Sequence, residues 1–109
     1  MSSRSGVKIF AQFFGMSQAA YRELGPDLSR LDDVEYDGGK VEVVHAGRLP
    51  QLPALMERVR GLMAEGKKGY VDVIDHDAGQ LSRHVITKEG VETTVRSLDD
   101  VVQPYSYSG

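Results

Sequence analysis

"RLPQLPALMERVRGLMAEGKKG", Arg48 to Gly69, is the stretch whose reading decides the fold. Leu52, Leu55, Met56, Val59, Leu62 and Met63 fall at i, i+3, i+4, i+7, i+10 and i+11, which is one stripe of an α-helix. Pro53 suits the first turn, where its missing N–H costs nothing, and Gly66 suits the C-terminal cap. The spacing predicts a helix near Leu52 to Glu65, about four turns long. A helix apolar on one side only must lay that side on another layer, and a sheet is expected beneath it.

Working outward, strands flank this helix. "GVKIFAQFF" (Gly6 to Phe14) alternates, with Val7, Ile9, Ala11 and Phe13 on one face and Lys8, Phe10, Gln12 and Phe14 on the other. "SQAAYREL" (Ser17 to Leu24) has Ser17 in N-cap position and Gly25-Pro26 as a stop, so a short helical insert follows the first strand. Asp37-Gly38-Gly39 supplies a tight turn into a strand from Lys40 to His45. Beyond the long helix, "YVDVID" (Tyr70 to Asp75) reads as a strand and "HDAG" (His76 to Gly79) as a turn. Lys88-Glu89-Gly90 turns a hairpin between His84–Thr87 and Val91–Val95, and Val101 to Gln103 forms a last short strand. The expected class is α+β: a mixed sheet of four to five strands with one main helix across it.

Composition narrows the function. A chain of 109 residues makes one domain, and 40% apolar with 27% charged residues is an ordinary globular balance. A net charge of −3, with no basic tail or stripe, argues against nucleic acid or an anionic membrane as partner. Without cysteine the chain forms no disulfide, thiolate metal site or thiol nucleophile. No apolar run approaches the roughly 20 residues of a membrane span, and "MSSRSG" lacks the apolar core of a secretory signal. A cytoplasmic protein is expected, with residues 1–6 as a flexible N-terminus and 104–109 as an extended tail.

In element order and in several stretches the chain resembles the β-grasp, ubiquitin-like sulfur carriers. It is most similar to the small subunit of molybdopterin synthase and more distantly to the thiamine sulfur carrier. "VKIFAQFF" resembles the family's opening strand, and "VEVVHAGRLPQLPALMERVRGLM" its second strand, loop and main helix. "RHVITKEGVE" resembles its later hairpin, and "LDDVVQPYSYSG" (Leu98 to Gly109) its closing strand and tail. Two departures stand out: the segment from Met16 to Gly39 is long, and the tail reads Ser108-Gly109 where the family has Gly-Gly.

The resemblance implies a β-grasp fold and a carrier that is not itself an enzyme. An adenylating partner of the ubiquitin-activating type uses ATP to convert the carboxylate of Gly109 into an acyl-adenylate. A sulfur donor then displaces AMP, leaving a thiocarboxylate for the molybdopterin synthase large subunit or another sulfur acceptor. The chain itself would hold no cofactor and no metal. Tyr107 and Ser108 would line the partner's channel, Pro104 would stiffen the exit of the tail, and Tyr105 would join the contact. Phe10 and Phe14 either pack beneath the helical insert or form an aromatic patch on the sheet face that docks on partners. The competing expectation is an interaction adaptor without acyl chemistry, in which Ser108-Gly109 is a relic.

Other clusters carry less. Asp72, Asp75, His76 and Asp77 combine metal-ligating residue types, but strand alternation sends Asp72 and Asp75 to opposite faces and Asp77-Ala78-Gly79 is ordinary turn chemistry. His45 and His84 join such a cluster only through tertiary contact. Ser17, Ser82 and Ser106 lack a nucleophile context, and Gly38-Gly39 precedes a strand, where no phosphate loop forms.

Overall fold

The computed structural model describes residues 6–98. The chain runs β1 (Val7–Phe13), α1 (Gln18–Glu23), α2 (Gly25–Leu28), β2 (Asp33–Asp37), β3 (Lys40–Ala46), α3 (Leu52–Leu62), β4 (Gly69–Asp75), β5 (Gln80–Thr87) and β6 (Gly90–Ser97). The strands form one sheet in the order β2-β3-β1-β4-β5-β6, and every neighbouring pair is antiparallel.

The long helix forms where its apolar stripe places it. Leu55, Met56, Val59 and Met63 are buried, Leu52 and Leu62 half-buried, and Pro53 lies in the first turn. The helix ends at Leu62, short of the expected Glu65. Met63 is already extended and turns into the core, and the Ala64 N–H donates to the Gly15 carbonyl at 3.0 Å. Gly66 therefore takes its positive φ of 79° in the loop beyond, where no helix is left to cap.

Alternation in β1 is met in full: Val7, Ile9, Ala11 and Phe13 are all buried. Ser17 caps α1 through the Ala20 N–H at 3.1 Å. Gly25-Pro26 ends α1 and also starts α2, with the proline in its first turn. Gly38 and Gly39, at φ of 58° and 90°, close the β2–β3 hairpin. Ala20, Leu24 and Leu28 share one core with the α3 stripe and with Val41, Val43 and Val71, so helices cover a single face of the sheet.

The α+β class stands, with α3 as the main helix and α1 and α2 as the insert after β1, but the mixed sheet of four to five strands is corrected to six antiparallel strands among the described residues. The reason lies in β1. One edge bonds to β3 from Lys8 to Phe13, and the other to β4 from Val7 to Phe13. Neither edge is open to a parallel strand, so the mixed sheet expected of a β-grasp is not built around β1. Up to β4 the order β-α-β-β-α-β, with β1 between β3 and β4, is the split βαβ arrangement of ferredoxin-like sheets; the β5–β6 hairpin extends it. Gly6, expected in a flexible N-terminus, is fixed: its N–H donates to Asp77 Oδ2 at 3.0 Å and its carbonyl accepts the His76 N–H at 2.8 Å.

Candidate functional site: the open face of the sheet

Among the described residues all helices lie on one side of the sheet and none covers the other. The strand registers arrange its side chains in rows. One row reads Asp33, Val44, Phe10, Asp72, Arg83, Thr94 across β2, β3, β1, β4, β5 and β6. A second reads Glu35, Glu42, Gln12, Tyr70, Val85, Glu92. Phe10 lies directly opposite Val44, and the two remain 39% and 40% exposed, so a pair of large apolar groups meets solvent side by side.

Around that pair the face is hollowed, with a volume of ≈ 670 Å³. The lining includes Asp33, Glu35, Glu42 and Asp72, with Arg83 as its single cationic residue. Arg83 grips Asp72 with two hydrogen bonds, 2.8 and 3.0 Å, and its guanidinium stands 5.7 Å from the centre of the Tyr70 ring. Glu42 accepts from Gln12 at 3.0 Å and pairs with Lys40 at 3.4 Å. Asp33 and Glu35 stand on the edge strand with exposed carboxylates, which leaves the β2 side of the hollow acidic. Such a surface suits a partner that brings apolar and cationic groups together.

The predicted site residues separate. Phe10 lies in the hollow, uncovered, because the helical insert packs on the opposite face. Phe14 lies just past β1, half-buried, with its ring edge-on to Tyr70 at 6.3 Å. Pro104, Tyr105, Tyr107, Ser108 and Gly109, and the strand expected at Val101 to Gln103, lie outside the described residues. Val44, Tyr70, Glu42 and Arg83 were not singled out from the sequence. Alternation places Val44 on the outward face of its strand, but only the order of strands brings it beside Phe10.

The acid–histidine cluster disperses as its alternation implies. Asp72 is held by Arg83 on the open face, whereas Asp75 accepts from the Ala78 N–H at 3.0 Å and pairs with Arg48 at 3.4 Å. Asp77 serves Gly6, and no group of three metal-capable side chains assembles among the described residues. His45 Nδ1 accepts the Asp32 N–H at 3.3 Å, next to the Asp32 carboxylate at 3.6 Å. His84 Nδ1 and Thr93 Oγ1 stand 2.8 Å apart. Burial lowers the His84 pKa below its ordinary value, and the Asp72 charge offsets part of this. A hydroxyl beside an imidazole is the start of a nucleophile site, but neither residue lines the hollow, and the carboxylate nearest in sequence logic, Asp72, is bound to Arg83.

No protein-family model, curated protein or solved structure matches this chain. No helix among the described residues is long and apolar enough to cross a membrane.

Proposed function

We propose that this chain is a protein-interaction module without chemistry of its own, working through the open face of its sheet. The observation that carries the reading is the Phe10–Val44 pair, exposed in a hollow whose β2 side is acidic. A partner segment with an aliphatic or aromatic side chain flanked by lysine or arginine fits it. The apolar group would cover Phe10 and Val44 while the cations meet Asp33 and Glu35. Binding to the tagged chain in its own host, quantified for matched variants, tests this. Phe10→Ser combined with Glu35→Lys should release the partner while the chain stays folded, at a stability cost of about 1–2 kcal/mol from the covered part of the Phe10 ring. Deleting Ser108 and Gly109 should leave it bound. Retention by the face variant, or loss on the tail deletion, would sink the reading.

The second reading is the sulfur carrier, and one observation favours it: the face away from the helices carries Phe10, where the resemblance places the docking surface. In this reading an adenylating enzyme uses ATP to activate Gly109, and a synthase large subunit or other acceptor takes the sulfur. The antiparallel sheet weighs against it, since the expected β-grasp pairing has no free edge at β1. Intact mass after incubation with ATP, a genome-matched activating enzyme and sulfide decides it. A carrier gains about 16 Da at Gly109 as oxygen is exchanged for sulfur, and an adaptor gains nothing.

A further inference from the structure

We propose that β6 is a self-recognition edge: two copies of this chain pair β6 with β6, antiparallel and centred on Thr94, to make one sheet running through both. The inference does not depend on the open face.

Among the described strands β6 bonds only to β5. Two features show which of its backbone groups are used there. Thr87 and Gly90 pair across a two-residue turn, and the Leu98 N–H donates to the Gly79 carbonyl at 2.8 Å. Even-numbered residues of β6 therefore direct their N–H and C=O toward β5, and Val91, Thr93 and Val95 direct theirs away from it. The strand has no proline and no bulge from Val91 to Arg96, so two of the usual edge guards are missing.

Charge selects the register. With Thr94 opposite its own copy, Glu92 faces Arg96 of the second copy and Arg96 faces Glu92, giving two opposite-charge pairs by symmetry. These fall at the non-hydrogen-bonded positions, where side chains approach most closely, while Thr93 and Val95 exchange backbone hydrogen bonds. Moving the centre to Thr93 or to Val95 leaves Glu92 and Arg96 opposite uncharged residues. The same register sets Val95, at 55% exposure the barest large apolar residue described, against the β-branched Thr93 of the other copy. The opposite edge behaves differently. In β2 the outward face carries Asp33, Glu35 and Asp37, so any aligned self-pairing sets carboxylate against carboxylate. One edge repels its own copy and the other complements it.

Sedimentation equilibrium on the full chain tests the proposal. The wild type should dimerise. Glu92→Arg and Arg96→Glu, each turning two attractions into two repulsions, should each weaken self-association roughly tenfold. The double variant E92R/R96E should restore it, and mixing the two single variants should give a heterodimer. Val95→Pro removes an N–H that β5 does not use, so it should abolish dimerisation while leaving the unfolding midpoint close to wild type. A monomeric wild type would overturn the proposal and leave the edge to another occupant. Single charge variants as dimeric as wild type would overturn it as well, and a mixture that fails to associate would overturn the register.

Discussion

Gly69 is the position where the fold makes its sharpest demand. It begins β4 between Phe13 of β1 and Ile86 of β5, buried on the helix-covered side. A Cβ there would stand 3.1 Å from Phe13 Cδ1, 3.1 Å from Met63 Cε and 3.5 Å from the Gln12 carbonyl oxygen. Carbon atoms pack best at about 3.5–4.0 Å, so both carbon contacts are too close. The Met63 methyl is the far end of a flexible chain and can yield, but the Phe13 ring is wholly buried and has nowhere to go. The φ of Gly69 is not in the left-handed region, so the penalty comes from space and not from backbone strain.

Gly69→Ala should cost about 1 kcal/mol, with the overpacking partly offset by alanine's smaller loss of chain entropy. Gly69→Val adds two γ-methyls to the same gap and should cost about 3 kcal/mol. At a urea slope of about 2 kcal/mol per molar, the midpoint falls by about 1.5 M. Met63→Leu removes the ε-methyl and should recover part of the loss in Gly69→Ala, a coupling that a double-mutant cycle measures. Equal urea midpoints for Gly69→Val and wild type would refute the packing of Phe13, Met63 and β4 described above.

Gly61, exposed on α3 with nothing within 4 Å of its would-be Cβ, should behave oppositely: Gly61→Ala should raise stability by about 0.5–1 kcal/mol in the same urea assay. Arg60 donates to the Lys88 carbonyl at 2.7 Å while Lys88 Nζ donates to the Gly61 carbonyl at 3.2 Å, so Arg60→Ala should cost about 1 kcal/mol and speed amide exchange at the β5–β6 turn. His84 has its pKa lowered by burial, so on acidification the unfolded chain takes up its proton first. Stability should therefore fall as pH drops through about 6.5 and level off below the folded-state pKa, and His84→Gln should flatten that part of a pH series of unfolding midpoints.

Local pattern and long-range pairing were unequally legible. Local pattern located α3, β1, the β5–β6 hairpin and the turn into β3 because each is written within a few residues: a 3.6 stripe, a period of two, and turns with Lys88-Glu89-Gly90 or Gly38-Gly39; β2, short and outwardly acidic, was not read as a strand. Which strand lies beside which is decided by contacts among residues dozens of positions apart. Phe10 meets Val44 on one side and Asp72 on the other, and no feature near Phe10 encodes either. The element order admits more than one sheet, and reading it as a mixed one chose a pairing that no local pattern encodes. The helix end shows the same limit at small scale. Gly66 is a good capping residue, but the chain leaves the helix at Met63 because burial of that side chain and the Ala64 bond to Gly15 win first.

The candidate site followed the same division. Phe10 was visible, with Phe14, as one of two aromatics on the outward face of the first strand, whereas the acidic rim and Arg83 came together only through the sheet. Joining the two proposals gives a geometric consequence. A two-fold axis that pairs β6 with β6 while keeping helices aligned on one side must run perpendicular to the sheet. Both open faces then point the same way, with the Phe10–Val44 pairs separated by the strands β1, β4, β5 and β6 of each copy. At about 4.8 Å per strand spacing the two hollows lie roughly 35–45 Å apart, reduced somewhat by sheet twist. A single short segment cannot bridge that distance, so a partner would gain from the dimer only by presenting two binding segments or by being dimeric itself. On these two proposals the open face would set what is recognised, and the β6 edge how many times.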